Sequence, residues 1–137
     1  MHLKETHTLF YPSHQFEPSD WLRFIHIGRF DEKWAKLGLN DEDLRALQIA
    51  IMAAPRKPPV VQRAGGLRKI RFARSGSNRS KRDSYRIGYV FFPAYSIVLL
   101  VVVYGKNEKD DLSEADCRAI SQIIRLIEDE LTQGRIR

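Results

Sequence analysis

The chain has 137 residues, 43% of them hydrophobic, a size that suits one domain with its own core and leaves little room for two. Its longest apolar run, residues 97–104, spans eight positions against the ~20 needed to cross a bilayer, and no charged-then-apolar segment opens the chain, so a soluble cytoplasmic protein with no membrane contact is expected. A single cysteine, Cys117, excludes an internal disulfide and has no neighbours at metal-ligand spacing, so no zinc module and no cofactor are expected.

The net charge of +6 is segregated. Residues 63–109 hold eleven Lys or Arg against two acids, Asp83 and Glu108, so this third of the chain carries +9 and the remainder −3. A concentrated positive excess is the electrostatic footprint of a surface that meets phosphates.

Residues 1–20 contain Pro12, Pro18 and scattered aromatics without a period of two or 3.6, so they read as an N-terminal extension with no assigned element, and residues 21–137 as the domain. Residues 21–28 alternate as a strand. Phe30, Trp34 and Leu37 then recur at helical spacing behind a candidate cap at Asp31, with Gly38 as a stop. Asn40 caps a second helix with Asp43 at N3, Leu44, Leu47 and Ile51 share one face, and Pro55 ends it.

Beyond Gly65-Gly66, residues 67–74 alternate as a strand that puts Ile70 and Phe72 on one face, Lys69 and Arg71 on the other. Residues 75–84 have loop composition; residues 85–92 form the next strand, which turns at Pro93-Ala94 into the apolar run from 96 to 104. These three strands predict an antiparallel meander, its last member central and covered on both faces. Ser113 caps a final helix whose stripe is Cys117, Ile120, Ile123, Ile124, Ile127 and Leu131. The fold class is α+β: a small antiparallel sheet, the meander plus an N-terminal strand, packed against helices.

Two residues apart on a strand, Lys69 and Arg71 leave the same face about 7 Å from each other, close enough to grip adjacent phosphates. Arg86 adds a third charge from the neighbouring strand. Tyr104, with Lys106, lies where the central strand opens into a loop, so its ring either stacks on a single-stranded base or packs against the last helix. Arg68, Arg74, Arg79, Lys81, Arg82 and Lys109 complete a cationic surface for RNA; those on the loop are steering charges, since a loop holds groups too loosely for catalysis. Cys117 is a small core residue, and His26 has no acid or nucleophile at a telling spacing.

Three segments, Gly65-Gly66-Leu67-Arg68-Lys69-Ile70-Arg71, Tyr85-Arg86-Ile87-Gly88-Tyr89 and the stretch from Val103-Tyr104-Gly105-Lys106 to Ser113, together resemble the RelE/HigB toxins over residues 21–133. The resemblance implies a RelE-like fold and a ribosome-dependent endoribonuclease that cuts messenger RNA in the 30S decoding site, through attack of the ribose 2′-hydroxyl and without metal. It implies that Lys69 is the general base, that Arg71 holds phosphate and that Arg86 stabilises the dianionic transition state. A lysine near its ordinary pKa of ~10.4 is a poor base, so Lys69 would need its cationic neighbours Arg68, Arg71 and Arg86 to depress it. Asn107 stands where some members carry an arginine assigned to the leaving oxygen, which leaves the general acid open. Glu108 could share that proton transfer, though pairing with Lys106 or Lys109 is simpler. A cognate antitoxin, with a helix-turn-helix part, is the implied partner. Two other functions fit the same surface: a noncatalytic RNA-binding module, and a gyrase-targeting toxin of the same fold.

Overall fold

The structure is a computed structural model that describes residues 3–7, 21–74, 84–105, 108 and 111–136. The most apolar segment, Ile97–Gly105 (β5), takes the centre of a sheet that has five strands among the described residues. Tyr85–Phe92 (β4) and Arg68–Phe72 (β3) follow on one side, and Arg23–Ile27 (β2) and Leu3–His7 (β1) lie on the other. The helices are Phe30–Lys36 (α1), Asp41–Ala53 (α2) and Glu114–Thr132 (α3). The fold is α+β.

β3, β4 and β5 form the expected antiparallel meander. Two other expectations are corrected. The sheet is mixed, because β2 runs parallel to β5, with Arg23 opposite Ile97 and the Arg23 N–H donating to Ser96 O at 2.9 Å. The elements α1, α2, β3 and β4 all lie between β2 and β5 in the chain, so no hairpin forces those two strands antiparallel. Residues 3–7, left without an element in the sequence, are strand β1, antiparallel to β2 with Leu3 opposite Ile27.

Both faces of β5 are covered, as its unbroken apolar sequence requires. Phe24, Ile87, Tyr89 and Leu100 meet Leu47 and Ile51 of α2 and Trp34 of α1 on one face. Ile25, Leu67 and Leu99 meet the α3 stripe of Ile120, Ile124 and Ile127 on the other. Each such side chain contributes roughly 1.5–3 kcal/mol by leaving water.

The start signals of α2 and α3 act as written. The Asn40 side chain accepts from the Asp43 N–H while the Asp43 carboxylate accepts from the Asn40 N–H, both at 2.9 Å, and Ser113 with Asp116 repeats the reciprocal box. Asp31 does not cap α1. Arg29 occupies that position and its side chain makes no capping hydrogen bond, while Asp31 lies in the first helical turn and reaches back to β2. Gly38, at φ +82°, ends α1 in a conformation a side chain resists.

Candidate nucleic-acid interface

Alternation along β3 divides its cations. Leu67, Lys69 and Arg71 face α3, whereas Arg68, Ile70 and Phe72 face α1 and α2. The antiparallel register then builds two rows on the α3 face: Lys69 is opposite Gly88, which is opposite Val102, and Arg71 is opposite Arg86, which is opposite Tyr104. At Gly88 a Cβ would lie 2.7 Å from Val102 Cγ1 and 3.0 Å from Leu67, so glycine is what lets the strands close beneath Lys69.

Lys69 Nζ lies 3.6 Å from Asp111 Oδ1 at the wall of a groove of about 630 Å³, which Val61, Arg63, Glu114 and Cys117 also line. Arg63 Nη1 meets Glu114 Oε1 across it at 3.4 Å, with both side chains exposed. Exposed pairs of this kind are worth about 0–1 kcal/mol, so a phosphate arriving at the groove can displace Glu114 from Arg63 at little cost. Arg71 is exposed on the rim.

Arg86 and Tyr104 are deeper than the sequence suggests. Arg86 is 5% exposed and donates through Nη1 to Ser84 O, and Tyr104 is 2% exposed. Burial pushes the Tyr104 hydroxyl above its ordinary pKa, Asp111, Cys117 and Asp116 add to the rise, and Arg86 opposes it. Tyr104 is therefore packed as a floor beneath the row rather than standing as an exposed stacking wall.

Arg68 and Arg74 do not join the cluster. Arg68 Nη1 donates to Arg56 O and Pro58 O, both at 2.8 Å, fastening the α2–β3 connection, and Arg74 Nε sits 3.2 Å from Asp43 Oδ2, tying the end of β3 to the α2 cap. Arg79, Lys81, Arg82, Lys106, Asn107 and Lys109 lie outside the described residues.

Two pairings went unseen in the sequence. His26 has an acid neighbour after all: its Nδ1 lies 2.5 Å from Asp31 Oδ1, while its ring meets Phe30 edge-on at 5.4 Å. Glu108 pairs with Lys33 of α1, and its Oε1 accepts the Gly105 N–H at 3.2 Å. A polar residue five positions after a strand histidine, across a turn containing glycine, was the available signal for the first. Nothing in sequence spacing links Lys33 to Glu108.

Among the described residues no cluster of His, Cys, Asp and Glu is arranged to hold a metal ion, and no helix is long and apolar enough to cross a membrane. No protein-family model matches the chain.

Proposed function

We propose that this protein is a ribosome-dependent endoribonuclease of RelE/HigB type, with a RelE-like fold, that cuts messenger RNA through its own 2′-hydroxyl. The observation that carries the reading is the paired-row arrangement: Lys69 and Arg71 adjacent on one sheet face, with Arg86 and Tyr104 directly across the ladder from Arg71. A scissile phosphate seated at Lys69 and Arg71 gains two charge-assisted contacts, and the Arg86 charge behind it favours the dianion that forms as the 2′-oxygen adds to phosphorus. The 5′-oxygen leaves with a proton, and the upstream fragment ends in a 2′,3′-cyclic phosphate.

Lys69 contributes as a cation that trades Asp111 for phosphate. To act also as the base that the resemblance implies, it must first leave Asp111. The cytoplasm is the compartment where such an enzyme meets ribosomes, and a cognate antitoxin with a helix-turn-helix part is the partner that would restrain it.

A second reading, noncatalytic RNA binding, draws on the burial of Arg86 and Tyr104, which leaves Arg71 and Lys69 as the accessible cations of the two rows. Analysis of the RNA ends separates the two. A 2′,3′-cyclic phosphate or its 3′-phosphate hydrolysis product on the upstream fragment supports the nuclease. A 3′-hydroxyl product contradicts 2′-attack, and intact RNA that is nonetheless bound selects the noncatalytic reading.

A further inference from the structure

β5 is longer than the partner beside it. β2 pairs with β5 only from Ile97 to Leu100, so residues 101–105 have β4 on one side and, among the described residues, no strand on the other. The direction of the backbone there follows from one contact. The Gly105 N–H goes to a side chain, Glu108 Oε1, rather than to β4, so Gly105 addresses the open edge; alternation gives the same direction to the N–H and C=O of Val103. Glu108, held by Lys33, thus sits where the carbonyl of a neighbouring strand would bond.

Two hollows flank this edge and share Arg29, Val101 and Val102. One, of about 240 Å³, lies toward α1 and adds Phe30, Lys33 and Glu108; the other, of about 520 Å³, lies toward α3 and adds Ile27, Leu112, Ile120, Ile123 and Leu126, with Asp116 as its one acid among the described residues. Leu126 is 56% exposed, and the Arg29 side chain is 89% exposed and makes a loose contact with Glu32 at 3.6 Å.

We propose that residues 101–105 are a strand-addition site for an extended segment of a partner protein in which apolar residues alternate with acidic ones. An added strand presents successive side chains to opposite faces. Its apolar side chains enter the hollow beside α3, its carboxylates meet Arg29 and Lys33, and one of its carbonyls takes the Gly105 N–H from Glu108. The backbone supplies affinity and the two unlike hollows supply selectivity, while the unpaired edge of β5 is closed against indiscriminate pairing. This reading is independent of the nuclease proposal, because the recognising groups are the β5 edge, Arg29 and the α3 groove. Occupancy would nevertheless end beside Tyr104.

The test begins with selection of phage-displayed random dodecapeptides on the full chain, followed by amide exchange measured by NMR with the enriched peptide. In the free protein the Val103 amide should exchange faster than those of Val102 and Tyr104, which pair with β4. Enriched peptides should alternate apolar residues with Asp or Glu and slow Val103 exchange roughly tenfold or more. Arg29→Glu and Leu126→Asp, both at exposed positions, should each weaken the peptide roughly fivefold or more with unchanged circular dichroism. Equal exchange of Val103 and its neighbours in the free protein, enriched peptides that lack the alternation, or protection centred elsewhere would overturn the proposal. So would self-association in the ultracentrifuge that is abolished by Arg29→Glu, since the occupant would then be a second copy of the chain.

Discussion

Arg71 and Arg86 stand directly opposite each other across the β3–β4 ladder, one exposed and the other 5% exposed. Like charges in that position destabilise a sheet, so the pair is a structural cost held at the candidate site. Arg71→Thr is therefore expected to raise stability by about 0.5 kcal/mol in urea titrations while weakening RNA binding. It should also lower the salt dependence of single-strand binding by roughly 0.7 in log–log slope, the signature of one lost phosphate contact.

Arg86→Ala behaves differently, because its charge is buried and bonded to Ser84 O. Truncation leaves that carbonyl without this donor and removes the guanidinium behind the phosphate. Both stability, by roughly 1–3 kcal/mol, and cleavage, by roughly 10²-fold or more, should fall, and a melting curve beside a cleavage assay separates the two losses.

Lys69 has two possible roles, which one pair of variants distinguishes. If the ammonium holding phosphate is what matters, Lys69→Arg retains most cleavage and Lys69→Ala loses roughly 10²-fold. If Lys69 must accept a proton, both variants fail alike, because a guanidinium stays protonated.

Tyr89 links the sheet to the end of α2: its hydroxyl donates to Pro55 O at 2.7 Å, and burial, partly offset by Arg68, pushes its pKa from 10.0 up to about 12. The fold thus prefers the protonated phenol. In the unfolded chain Tyr89 ionises near 10, so its stabilising contribution is complete below that pH and is lost as pH rises toward 12. Tyr89→Phe should cost about 1 kcal/mol at neutral pH, through the lost hydrogen bond, and should flatten the alkaline fall in urea midpoint between pH 10 and 12.

The Asn40–Asp43 box does two jobs, since Asp43 also receives Arg74. Asn40→Ala should cost about 1 kcal/mol, read as a lower urea midpoint at unchanged slope, and should leave RNA cleavage intact.

Local signals carried much of the fold. The caps at Asn40 and Ser113, the stop at Gly38 and the α3 stripe are short-range patterns whose physics is complete within a few residues. Strand β1 was hidden because Leu-Lys-Glu-Thr-His carries four polar or charged residues and no apolar alternation, and it pairs at the edge of the sheet. The parallel β2–β5 contact is long-range and leaves no local mark. At the site, Lys69 and Arg71 were legible from alternation, and the same parity would have sent Arg68 and Arg74 to the opposite face with Ile70 and Phe72. The burial of Arg86 and Tyr104 was not legible, since burial depends on what the folded chain lays over the sheet rather than on their own segments.

The most direct test of the nuclease reading is mapping of messenger RNA ends after incubation with translating ribosomes, for the wild type, Lys69→Ala and Arg86→Ala, beside a ribosome-free control. Cuts that need ribosomes and are lost in both variants, each shown to be folded, are the expected result. Folded wild-type protein that leaves the RNA intact, or cuts that survive both substitutions, would contradict it.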